Sequence, residues 1–199
     1  MKKLILLLFI PLVSFGQDSD FANFLISSKY YEGSNDQLAT MTEDAIFYFN
    51  QSEEEKRKWA IETRKQTRVF FLKNSTEQNN ITIKKQEKLN SKEFRDLVRS
   101  KNKDFLNYWN NILREADKEN AKGTGISIVP LNFEIIKSDF GSFNNNYDYF
   151  YTLTKTSDGS QIVFQNGIWI IVNNMTYLIT VTSVTSSQIF LENILISVK

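Results

Sequence analysis

From Phe94 to Ala116 the apolar residues recur every three or four positions: Phe94, Leu97, Val98, Phe105, Tyr108, Trp109, Ile112, Leu113 and Ala116. That spacing gathers them on one side of a helix with 3.6 residues per turn and predicts a single amphipathic helix of about 25 residues. Asn90 with Glu93 forms a capping box at its start, or Ser91 caps it instead. Gly123 and Gly125 stop it. Beyond Gly125 the period falls to two. Ile126, Ile128, Phe133 and Ile135 fit strands around Pro130, and Phe143 to Thr156 is a further strand region with Asn144, Asn145 and Asn146 as a kink or turn.

Asp158-Gly159 marks a hairpin, because both residues tolerate positive φ. Ile162 to Val172 then runs back, Asn173-Asn174 turns again, and Met175 to Val184 is the next strand. Asn166-Gly167 is a second hairpin signal inside that run. Read as a bulge, it leaves one long strand and a well-matched hairpin at Asn173-Asn174. Upstream, Val69 to Leu72 and Ile81 to Lys85 read as two strands around the turn-rich 74–80 stretch. Ser186 and Ser187 cap a predicted terminal helix carrying Ile189, Phe190, Ile194, Leu195 and Val198.

Residues 18–66 are polar and charge-rich, with helical signals. Thr42-Glu43-Asp44 begins one helix, and Ser52-Glu53-Glu54-Glu55 is a capping box for a second that runs to about Lys65. Between Gly167 and Val172 both sides of the strand are apolar, so it needs cover on both faces. The long helix and the terminal helix supply it. The expected fold class is therefore α+β: an antiparallel β-sheet flanked by helices on both faces, preceded by an N-terminal helical segment. The expected organisation is 1–16, 17–66 and 67–199.

The segments FEIIKSDFGSFNNNYDYFYTL, QIVFQNGIWIIVNNMTYLITVTS and QIFLENILISVK, in that order, are similar to the Mog1/PsbP-like family, which includes many bacterial envelope proteins. The resemblance spans residues 69–199. It implies an α/β/α sandwich and a binding or accessory role without catalysis. It rests on hydrophobics and turns, and it transfers no site motif to this chain.

Composition narrows the chemistry. Met1-Lys2-Lys3, the apolar run Leu4 to Val13 and the exit Ser14-Phe15-Gly16 have the three parts of a secretory signal. The run is about half the length a membrane span needs. Cleavage after Gly16 or Gln17 places the mature chain in the periplasm or outside the cell, and removing Lys2 and Lys3 shifts the formal net charge from +1 to −1. A chain so balanced gives no electrostatic reason to expect nucleic acid. Cysteine and histidine are both absent. That removes disulfides, thiolate sites, the commonest general base and the commonest metal ligand. No cofactor or metal is expected, and the leading expectation is a non-catalytic protein whose partner is an envelope protein or a small ligand. The alternatives are a hydrolase working with carboxylates alone and a carrier of a small apolar ligand.

Glu53, Glu54 and Glu55 diverge around a helix and suit its first turn. Glu115 and Glu119 read as a solvated helix end. Asp139, Asp148 and Asp158 are the carboxylates a hydrolase would use. The surface candidates are Tyr147, Tyr149 and Tyr151, which share one side of their strand, together with Trp169. Tyrosine gives contact area and a polar tip at small entropic cost. It is also a good strand residue, so sheet packing is the competing reading.

Overall fold

The structure is a computed structural model that describes residues 21–34, 37, 52, 54, 58, 67–74, 80–123, 132–157, 162–183 and 191–198. Its strands are β1 (Phe24–Ile26), β2 (Tyr30–Glu32), β3 (Thr67–Leu72), β4 (Asn80–Lys85), β5 (Asn132–Phe143), β6 (Tyr147–Ser157), β7 (Ile162–Val172), β8 (Met175–Ser183) and β9 (Leu195–Val198). Two helices, α1 (Lys92–Arg99) and α2 (Lys103–Gly123), lie between β4 and β5. Seven strands form an antiparallel sheet in the order β2-β3-β4-β8-β7-β6-β5, and β1 pairs with β9 as a separate ribbon.

Two Asn-Asn turns set the register of the meander. Asn144 and Asn145 have φ of 51° and 57°, and Asn173 and Asn174 have 49° and 63°. Paired positive φ gives the twist a hairpin turn needs, and asparagine tolerates it better than other residues with a side chain. Asn173-Asn174 is a two-residue loop between Val172 and Met175, and Asn144-Asn145-Asn146 a three-residue loop between Phe143 and Tyr147. β7 runs unbroken through Asn166-Gly167 and keeps regular register with both neighbours. One long strand is present, without the expected bulge.

Alternation then splits the core in two. Phe70, Ile81, Ile83, Ile168, Ile170, Tyr177 and Ile179 face the β1–β9 ribbon and pack with Phe24, Leu191, Ile194, Leu195 and Val198. Phe150, Trp169 and Ile171 face the other way and pack with Phe94 and Val98 of α1 and Phe105 and Leu106 of α2.

The sandwich with helices on both faces is not what forms. The protein is mostly β, and α1 and α2 cover one face only. The opposite face is covered by the ribbon. Leu191, Ile194, Leu195 and Val198 have helical spacing, but after a 3₁₀ turn at Leu191–Asn193 the chain extends and pairs with β1. The same four side chains are buried either way, so spacing alone could not separate the two outcomes. Two β-branched residues in Leu195-Ile196-Ser197-Val198 favour the strand. β1 and β2 lie inside the 17–66 stretch read as helical. The helices expected from Thr42 and Ser52 fall almost wholly outside the described residues, as do the 1–16 segment and the Asp158-Gly159 turn.

The single long helix is also two. α1 is capped by Ser91, whose Oγ accepts from Phe94 N at 3.1 Å. It ends in a Schellman turn: Lys101 N donates to Val98 O and Asn102 N to Leu97 O, with Lys101 at φ 53° where glycine is usual. Asn102 then caps α2, its Oδ1 accepting from Phe105 N at 3.0 Å. Asn90 has a different task, accepting from Thr176 N at 2.6 Å.

On the helix-side face Lys84 stands between Thr67 and Leu178. Burial holds its ammonium below the usual lysine value of 10.5. A folded value below the unfolded one means the unfolded chain binds the proton more readily. The penalty is therefore complete below the folded value and is relieved as pH rises from that value to 10.5. Lys84→Met is expected to raise the urea midpoint at neutral pH. The gain should shrink toward alkaline pH; a gain independent of pH would mean that packing, not charge, accounts for it.

Candidate functional site

The four residues singled out in the sequence do not form one surface. Trp169 is buried on the helix side, stacked on Phe150 with centroids 4.6 Å apart and planes 1° from parallel. The three tyrosines lie on the ribbon side, and each does something different. Tyr147 anchors the ribbon, its hydroxyl donating to Val198 O at 3.1 Å. Tyr151 is 8% exposed and belongs to the core. Tyr149 is half-buried and lies against the edge of that core.

Tyr149 is positioned by its cross-strand partner. It pairs with Gly141 of β5, and a Cβ at Gly141 would sit 2.3 Å from Tyr149 Cζ and 2.4 Å from its hydroxyl. The ring therefore lies flat across the glycine, a close approach of the kind that strand glycines permit. Two pairs along, on the same face, Asp139 stands opposite Tyr151. Lys137 lies on the same face, with its Nζ 5.6 Å from the Tyr151 ring centroid. The Asp139 carboxylate accepts from Phe140 N at 2.9 Å.

These groups share an electrostatic field. The Tyr149 phenol is pushed up, mainly by partial burial and then by Glu192, Tyr151 and Asp139. The Lys137 ammonium is also pushed up, first by hydrogen bonding to Tyr151, then by the electrostatics of Tyr151 and Asp139. At neutral pH the surface therefore presents a neutral Tyr149 phenol and the Lys137 cation beside Asp139 and Glu192, with the Tyr149 ring held 6.5 Å from the buried Tyr151 ring. Such a surface can offer hydrogen bonds, charge and a fixed aromatic face to a partner.

Lys137, Gly141 and Glu192 were not among the expected site residues. The first two had a legible signal: Lys137, Asp139 and Gly141 alternate with the period of a strand, and an interior glycine marks a close approach. Glu192 comes from a distant turn, and nothing local points to it. Of the three meander carboxylates, Asp139 pairs with Tyr151 on the ribbon side while Asp148 pairs with Ser142 on the helix side. The sheet separates them. Asp158 lies outside the described residues. Among the described residues no group of three or more acidic side chains is placed to hold a metal ion, and no helix is long and apolar enough to cross a membrane.

No family model matches the chain, and a search of curated proteins finds no match.

Proposed function

We propose that the chain is a binding or accessory protein exported to the cell envelope, that it acts without catalysis, and that it meets its partner on the ribbon-side surface of β5 and β6 around Tyr149. The observation that supports this is the seating of Tyr149 on Gly141 beside Lys137, Asp139 and Tyr151. Aromatic rings already held by packing lose little freedom on binding, which is why such rings concentrate interface energy. The Lys2-Lys3 pair, the apolar run and the small-residue exit support export.

A photo-crosslinking amino acid at Tyr149, in the full chain expressed in its own host, tests the surface. An adduct of defined mass is expected at Tyr149 and not at Tyr108, an exposed residue of α2 on the other side of the sheet. Equal labelling at both positions, or none at Tyr149, would remove the case for this surface. N-terminal sequencing of the extracytoplasmic fraction tests export separately: a chain beginning at Gln17 or Asp18 is expected, and an intact Met1 would rule out cleavage.

A further inference from the structure

β5 is the last strand of the seven-stranded sheet, and among the described residues none pairs with its outer edge. An edge of twelve residues with no partner among the described residues is a template for another strand. This one carries Glu134, Lys137 and Asp139, and its register to β6 shifts between Ile135 and Lys137. Charges and bulges of this kind deter unrelated strands. Their pattern, however, is complementary to itself.

Place a second β5 antiparallel to the first, with Ser138 opposite Ser138. Lys137 then faces Asp139 of the second copy, and Asp139 faces Lys137 of the second copy. Both pairs lie on the ribbon side, the face these residues share with Leu153 and Tyr151. Ile136, the extra residue of the bulge and left 44% exposed, falls opposite Phe140 of the second copy in this register. The nearest registers that keep the same faces together are unfavourable. One sets Lys137 opposite Lys137, the other Asp139 opposite Asp139, and like charges directly opposite destabilise a strand pair. The edge thus specifies one partner and one register, by attraction in the correct alignment and repulsion in its neighbours.

We propose that the protein self-associates as a two-fold dimer through antiparallel pairing of β5 with β5 of a second copy, centred on Ser138. The interface is isologous, so each contact occurs twice. On pairing, Asp139 exchanges its local bond to the Phe140 amide, and Lys137 its bond to Tyr151, for the charge pair with the second copy. The two sheets become continuous, and the Tyr149 surfaces of both copies lie on the same side of the joined sheet. The proposal does not depend on the function argued above, because its readout is mass and not ligand.

Sedimentation equilibrium of the chain as isolated from its own host is the test. The wild type is expected to dimerise reversibly as concentration rises. K137D and D139K each create two like-charge pairs per dimer and are expected to weaken association by roughly tenfold or more. The double variant K137D/D139K restores both opposite pairs and is expected to recover the dimer. A wild type that stays monomeric up to its solubility limit overturns the proposal. So do single variants that associate like the wild type, or a double variant as weak as the singles. Both side chains are exposed, and circular dichroism checks that the variants fold. Amide exchange of residues 136–140 in the wild type provides a measurement free of substitutions: it is expected to slow with rising protein concentration, and exchange independent of concentration refutes the pairing.

Discussion

Phe150→Ala is expected to cost about 3–5 kcal/mol of stability, measured as a lowered urea midpoint. Phe150 has no exposed surface. It is the ring around which the helix side assembles. Trp169 stacks on it at 4.6 Å, Phe105 meets it edge-on at 5.2 Å, Trp109 at 5.4 Å and Phe94 at 6.0 Å. Three of those rings belong to α1 and α2, so the substitution removes the common contact of both helices as well as apolar area. A cavity there cannot close easily, since the strands on either side are locked in their ladders and the remaining rings are rigid. Against a typical total of about 5–15 kcal/mol, such a loss is large. Near-UV circular dichroism should report it directly, because Trp109 and Trp169 lie 5.3 Å apart in the same cluster. Phe140→Ala is the control. That ring is only half-buried and reaches Phe150 at 6.4 Å, so its loss is expected to cost well under half as much. Equal effects would mean that the ring cluster is not the seat of helix docking.

The contrast between Phe150 and the tyrosines shows what could be read from the sequence. Period-two alternation locates β4 and β6, turn signals delimit β7 and β8, and the Asn-Asn and capping signals locate the turns and the start of α1. These are local features, each fixed by residues close together in the chain. The errors arose where distant residues decide. Leu191, Ile194, Leu195 and Val198 could bury the same side chains in a helix or a strand, and β1, from the far end of the chain, selects the strand. The break between α1 and α2 lacked its usual glycine, because Lys101 accepts the left-handed position with the Schellman bonds closed around it. Threonines 82, 152, 154, 180 and 182 alternate with the ribbon-side residues of their strands and are all buried on the helix side. The tyrosine ladder was located correctly on one side of β6. Which of its rings would be covered depended on Gly141, Lys137 and the ribbon, and none of those is a local property of β6.

Tyr177→Ala is expected to cost about as much as Phe150→Ala, some 3–5 kcal/mol, but at the other face and with a different pattern of loss. Tyr177 is 1% exposed at the start of β8, under the ribbon. Phe21 and Phe24 meet its ring edge-on at 5.2 and 5.0 Å, and its hydroxyl accepts from Ala22 N at 3.0 Å. One side chain of the sheet thus fixes the N-terminal strand of the ribbon by packing and by a hydrogen bond. The two contributions separate experimentally. Tyr177→Phe keeps the ring and leaves the Ala22 amide without its acceptor, for an expected cost of about 1 kcal/mol. Tyr177→Ala loses both. Because β1 is three residues long and, among the described residues, pairs only with β9, the Tyr177 ring is a large share of what holds it. Amide exchange in Tyr177→Ala should therefore accelerate first in β1 and β9, while β6 and β7 stay protected until global unfolding. Uniform acceleration across the sheet would instead show that the ribbon and the sheet unfold as one unit, and that Tyr177 stabilises the whole core and not the attachment of its cover.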